Sequence, residues 1–345
     1  MNNFSGLIED PRTIEEKAKD FKVGSDNEIK AKKRTKEWTQ YLTIGEAQSV
    51  QGKWDSMSCV SFAIGEDLEP QINFDFNSLR EDTKKFLIDN GYIQDGKVRF
   101  SKRALAIMSG TTPSGNYFWK VFETARLQGL IPDSDLPFGG NSQSEYLGAT
   151  ITPAMLAKGK KFLEYFKIQY QIVQGFDNNV GFNPSEIANI DSILSSAPVV
   201  IGVPIPCSHA IITHKVREND YDAQDHYVPY FRTNNAITVP VQLAYQGYIE
   251  EIPKSIFHFQ FNRNLTKNNS YDSDVENLQK ILVEENCMTE SEIGQWWGFF
   301  GNKTLNGVIK FQEKYSNEIL KPVGLTKGTG YVGNSTRAFL NNKYK

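Results

Sequence analysis

The chain has 345 residues, 39% hydrophobic and 23% charged, with a formal net charge of −3 at pH 7. That length accommodates two domains, or one large domain with extensions, and the near balance of charge excludes a global attraction to nucleic acid or to an anionic membrane. Three cysteines, Cys59, Cys207 and Cys287, are an odd and sparse set that builds no disulfide framework, so synthesis in a reducing compartment is expected. Residues Met1 to Pro11 lack the basic and apolar regions of a secretory signal, and no run reaches the ~18 apolar residues of a spanning helix. The expectation is a protein made in the cytoplasm without a signal peptide and without membrane insertion.

In chain order, residues 1–36 are polar and mixed in charge, ending in the basic cluster Lys30 to Lys36; they read as an arm with a solvated face. Apolar residues without strand-like alternation predict a helix opening at Cys59 and continuing through Phe62, Ala63 and Ile64. Ser78 to Asn90 is a clearer amphipathic helix, with Leu79, Phe86 and Leu87 on one face and Gly91 as its stop. A Gly-rich stretch from Ser109 to Asn116 leads into a helix over Tyr117 to Gln128, closed by Gly129 and a proline-rich corner ending at Phe138. From Ala197 the pattern turns to β, with runs at Pro198 to Ile205, His209 to Val216 and Ile237 to Tyr245. Helices first and strands later predict an α+β domain of two lobes over residues 37–262, with a cleft between helix and strand. Residues 263–273 are polar and read as a linker, before a second unit at 274–345.

The chemistry is concentrated in few residues. Cys59, flanked by small residues at a helix start, with His209 far downstream at the head of a strand, is the arrangement that a thiolate nucleophile needs. A neighbouring imidazole takes the thiol proton, and an acceptor must fix the imidazole tautomer; Asp225 follows His209 at a suitable separation. Cys207, His209, His214 and His226 also cluster in sequence, which raises the alternative of a metal. His209 and His214 have an odd separation and face opposite sides of a strand, and no zinc-type pair is present, so neither metal nor organic cofactor is expected.

Residues Gln51 to Ala63 and the order of Cys59, His209 and Asp225 resemble the papain-like cysteine peptidases. The resemblance implies that a glutamine before the cysteine supplies an oxyanion donor. Gln51 takes that part although it stands farther from Cys59 than the family's glutamine does, with Gln48 as the alternative. It also implies that Asp225 replaces the family's asparagine, and that residues 1–36 could cover the cleft as prosegments do.

In the second unit, Leu278-Gln279 and Leu282 form a short amphipathic pattern, and Gly-Asn-x-Thr occurs at Gly301 to Thr304 and again at Gly333 to Thr336, each before a helical pattern. Glycine would allow the turn and Asn or Thr would cap exposed amides. With Phe311-Gln312 and Leu340 in order, this segment resembles the peptidoglycan-binding domain 1 family, a small three-helix bundle. The resemblance implies a glycan-bearing partner, with Trp296 or Trp297, but not both, stacking on a sugar face.

Together the two resemblances imply a cysteine hydrolase of peptide or amide bonds, directed at the bacterial cell wall as a phage lysin or virion-associated enzyme. The partner expected is peptidoglycan or a wall-associated peptide. Two other readings remain open: a protein-processing protease anchored by its C-terminal module, and an inactive wall-binding or structural protein.

Overall fold

The computed structural model of the protein describes residues 6–8, 10–17, 19–174, 190–204, 208–252, 259–268 and 271–344. The chain divides into two compact units, Met1–Ile252 and Pro253–Lys345. Among the described residues no helix is long and apolar enough to cross a membrane.

The first unit is α+β and is organised around helix α1, Cys59–Asp75. Its apolar residues Val60, Phe62, Ala63, Ile64, Leu68 and Ile72 fall all round the cylinder rather than in one stripe, so the helix must be covered on every side. Helix α2 (Glu81–Asp89) buries Phe86 and Leu87. It starts later than the sequence pattern because Phe76–Ser78 form a 3-10 turn and Leu79 is extended. Helices α3 (Lys102–Met108) and α4 (Phe118–Gln128) pack on one side of α1, and α5 (Pro153–Tyr165) packs on α4.

The other side of α1 faces a sheet of six antiparallel strands in the order β3-β8-β4-β5-β6-β7. Their ranges are β3 Phe166–Gln174, β4 Val199–Val203, β5 His209–Val216, β6 Asp220–Gln224, β7 Phe231–Asn235 and β8 Leu243–Glu251. A separate hairpin pairs β1 (Ser49–Val50) with β2 (Trp54–Asp55). The strand expected over Ile237 to Tyr245 is displaced: β8 begins at Leu243, beyond Pro240, which has no N–H to give a ladder. Strand β3 was not among the expected strands, although Phe166, Ile168 and Ile172 alternate toward the core.

The basic cluster is not a solvated face throughout. The Arg34 side chain is buried, paired with Asp75 at 2.9 Å and donating to the carbonyls of Ser196 (2.9 Å) and Ile249 (2.6 Å). Those three bonds tie the arm to the end of α1, to the segment before β4 and to β8. A buried guanidinium is tolerable only with such partners, and here it has them.

The second unit contains α6 (Ser273–Glu284), α7 (Asn302–Lys314) and α8 (Asn334–Lys343) around Val275, Leu278, Leu282, Val308, Phe311 and Leu340. The segment expected to be a linker belongs to this unit, because Phe261 and Leu265 are in its core and Leu265 bridges Val332 while Tyr271 bridges Phe299. The two Gly-Asn-x-Thr motifs also work differently from simple caps. Gly301 and Gly333 are the N-cap residues of α7 and α8, and neither helix has a side-chain cap. A Cβ at either glycine would press on the ring of Phe299 (3.1 Å) or Tyr331 (2.8 Å).

The threonines of these motifs answer to the glutamines. Gln279 Nε2 donates to Thr304 Oγ1 at 2.9 Å and to the carbonyls of Trp296 and Phe299, and its Oε1 accepts from the Gly298 amide. Gln312 repeats the arrangement with Thr336 Oγ1 at 2.9 Å, the Tyr331 carbonyl and the amides of Thr329 and Gly330. Trp296 is 49% exposed, whereas Trp297 packs against the core.

Candidate active site

Cys59 is the first residue of α1, after Ser58 at the N-cap position, and it is fully buried. The amides of a helix's first turn point out of its end, and with the helix dipole they favour a thiolate at this position. Helix α1 packs against β5, which opens at His209. His209 Nε2 lies 2.9 Å from Asp225 Oδ1. Burial pushes the His209 imidazolium down, and Asp225 only partly opposes it, so the ring is neutral at neutral pH.

Asp225 is the best-furnished residue in the site. Its Oδ1 also accepts from the amides of His226 (2.6 Å) and Tyr227 (3.0 Å), and its Oδ2 pairs with Arg232 at 2.6 Å. Burial alone would raise its pKa, but the bond from His209 and the neighbouring positive charges override that and hold it down at about 2. Arg232 escaped the sequence reading because it comes from β7, in a run whose polar residues carry no motif.

The expected oxyanion glutamine is not where the resemblance put it. Gln51 is exposed, in the turn between β1 and β2. The hairpin adds residues between that glutamine and Cys59 and swings it to the surface. Gln48 is buried, but its amide donates to Asp55 Oδ1 (3.0 Å) and to Tyr227 Oη (2.7 Å), so both hydrogens are engaged. Tyr227 Oη in turn donates to Asp55 Oδ2 at 2.5 Å, and the Tyr227 ring lies 5.0 Å from that of His209. This Gln48–Tyr227–Asp55 cluster braces the His209 side of the site rather than presenting a donor to a substrate.

A short strap from the N-terminal arm crosses the site. The Ile8 amide donates to the Asn116 carbonyl (2.9 Å), the Asn116 amide to the Gly6 carbonyl (3.0 Å), and the Leu7 amide to the carbonyl of Ser208, next to His209 (3.2 Å). A Cβ on Gly6 would lie 2.6 Å from Cys59 Sγ, so the glycine lets the backbone rest against the thiol. Gly115, with φ of 105°, lets the strap approach from the other side, where a side chain would strike the Gly6 carbonyl. Leu7 is buried against Gly202 and Leu243. The strap therefore touches both Cys59 and the residue before His209.

Of the residues weighed as metal ligands, Cys207 lies outside the described residues. His214 is on β5 with its ring buried; burial lowers its pKa to about 4. His226 faces Glu66. Among the described residues no group of three or more His, Cys, Asp or Glu side chains could hold a metal ion.

No family model matches the chain, and no curated protein matches it. Among solved structures it is similar to xylellain, a cysteine protease from Xylella fastidiosa, at 13% identity and a TM-score of 0.43, covering 72% of this chain and 97% of that one. It is also similar to the proform of the Amb a 11 cysteine protease, a ragweed pollen allergen, at 14% identity and a TM-score of 0.40, covering 64% and 68%.

Proposed function

We propose that the chain is a papain-like cysteine hydrolase of peptide or amide bonds whose second unit directs it to peptidoglycan. The observation that carries the first half is the buried His209–Asp225 pair, 2.9 Å apart, with His209 on the strand that packs against the helix headed by Cys59. With Nε2 committed to Asp225, Nδ1 of His209 is the nitrogen left to take the Cys59 proton. The thiolate then attacks the carbonyl carbon, and the imidazolium returns the proton to the leaving amine; water releases the acyl group with His209 as base. The helix-start amides beside Cys59 receive the oxyanion. Asp225, ionised far below neutral pH, holds the ring and stabilises its charged form.

The second half rests on the paired Gln279–Thr304 and Gln312–Thr336 clamps, which give a structural reason for the sequence elements that resemble a peptidoglycan-binding module. Trp296, exposed like Tyr271 and Tyr331, is the aromatic side chain we assign to a sugar face. A lysin or virion-associated enzyme is the setting in which both halves serve one task.

Digestion of defined peptidoglycan and of casein by the full chain, with mass analysis of the fragments, tests this reading. Peptide-bond cleavage of the wall polymer that vanishes in Cys59→Ala is the expected result. Casein cleavage without wall cleavage would favour the protein-processing alternative, and an active Cys59→Ala protein would overturn the cysteine mechanism. Cosedimentation of Cys59→Ala with purified peptidoglycan, reduced in a further Trp296→Ala variant, checks the second unit.

A further inference from the structure

Behind the candidate site lies a second histidine that the proposed reaction does not use. His226 is fully buried, and so is Glu66, a residue of α1 two turns beyond Cys59. Their Nδ1 and Oε2 atoms are 3.3 Å apart. On its other edge His226 Nε2 donates to the carbonyl of Ala210, the residue after His209, at 3.1 Å. The pairing of β5 with β6 ends at Ile212 and Gln224, so this side-chain bond stands where a further ladder bond would have come. The ring also packs on Phe62 of α1, with centroids 5.2 Å apart, and lies edge-on to His209 at 5.7 Å.

One imidazole thus meets three elements: the helix that bears Cys59, the strand that bears His209, and the turn that bears Asp225. We propose that Glu66 and His226 form a buried positioning pair that fixes the distance between the Cys59 thiol and the His209 imidazole. The inference rests on the reading of Cys59, His209 and Asp225 as catalytic. Burying two ionisable groups is costly, and replacing such a pair with apolar residues is often neutral or better for stability, so stability alone gives no reason for them here. A fixed spacing across a helix–strand interface does, because misplacing reacting groups by an ångström costs much of the rate.

The groups facing His226 are Glu66 from α1, His209 from β5, and Asp225 from the turn after β6, with Arg232 of β7 behind Asp225. Burial works against its charged form, and the Glu66 carboxylate overrides burial, holding the ring above its ordinary pKa. Its charge in turn opposes protonation of His209.

The test uses the full chain with isotope-labelled histidine, following the ring signals with pH, together with steady-state kinetics on a cleaved peptide. The His226 signal is assigned by its loss in His226→Gln. In Glu66→Gln the His226 titration moves down, that of His209 moves up by about one pH unit, and kcat falls at least tenfold while KM stays within twofold. Glu66→Asp recovers part of kcat. If Glu66→Gln does not fold, Glu66→Leu with His226→Phe keeps the packing without the charges, and the same His209 shift and kcat loss are expected. Unchanged kcat in a folded variant, or a His209 titration indifferent to both changes, overturns the proposal. A parent protein that cleaves no peptide, while the titrations shift as stated, refutes the catalytic reading itself and leaves the pair purely structural.

Discussion

The two units differ in how much of their buried polarity is charged. In the first, helix α1 alone carries four buried carboxylates, Glu66, Asp67, Glu69 and Asp75, the last paired with Arg34, and each has a different answer. Glu66 faces His226; Asp67 accepts from the Gly247 amide at 2.9 Å; Glu69 is paired with Lys102 and accepts from the Phe100 amide (2.7 Å) and the Thr43 hydroxyl (2.9 Å). Burial pushes the Asp67 carboxyl well above the usual carboxylate range. In the second unit the neutral Gln279 and Gln312 each close the start of a helix, while the buried Glu285 is held by Lys314 at 2.6 Å and by the hydroxyls of Tyr315 and Tyr344. Charge in a core sets positions and couples them to pH, while neutral amides close a bundle without that coupling.

The sharpest way to break the contrast is to orphan a charge. Lys102→Met leaves Glu69 without its cation and is expected to destabilise the first unit by about 3–5 kcal/mol, read by denaturant unfolding. Adding Glu69→Leu should return most of that loss. A single variant as stable as the parent would show that the buried pair holds nothing.

Acid is the next lever. The folded pKa of His214 is depressed to about 4 from 6.5, so the unfolded chain binds the extra proton between those values and stability falls as pH drops through that window. The expected loss is on the order of 3 kcal/mol by the lower end, and His214→Gln should flatten it. His226 has the opposite sign: its raised pKa gives stability that is present below the ordinary value and lost as pH climbs through the folded one. A parent curve flat from neutral to mildly acid pH would contradict the His214 assignment.

The glutamine clamps should behave otherwise. Gln279→Leu or Gln312→Leu leaves buried carbonyls and amides unmet and should cost about 1–3 kcal/mol each, to the same extent in mildly acidic and mildly alkaline buffer. A strongly pH-dependent cost would blur the distinction between the units. The smallest effect on stability is expected from Gly6→Val, whose added Cβ meets Cys59 Sγ. Unfolding should shift by less than about 1 kcal/mol, while Cys59 becomes more reactive to a small alkylating reagent in a Cys207→Ala, Cys287→Ala background. Equal alkylation rates would mean that the strap does not shield the thiol.

Much of this architecture was legible in the chain. The helix at Cys59, the helix ending at Gln128 and the strand opening at His209 all carried local signals: apolar runs, a stopping glycine, β-branched residues. What escaped was set by tertiary context. Arg34 looked like one member of a solvated basic cluster, and only the fold supplies Asp75 and two carbonyls to receive it. Gln51 matched a motif in composition, but the β1–β2 hairpin turned it outward. His226 and Glu66 are far apart in sequence and belong to no motif, so their meeting could not be read from either.

The strap over Cys59 has a kinetic consequence. If Cys59 is the nucleophile proposed above, a strap joined to the protein it covers would compete with an incoming substrate as an intramolecular ligand, at an effective concentration that a short tether brings to the order of millimolar. Dilution leaves that competition unchanged, because occupancy of the crevice does not depend on how many protein molecules surround it. Behind the strap the arm is anchored at Phe21 and Val23: the Val23 amide donates to the Ile172 carbonyl at 3.0 Å and the Ile172 amide to the Phe21 carbonyl at 2.8 Å. Uncovering would therefore be reversible while the chain is whole, and a cut between the strap and that anchor would remove the tether that makes it so.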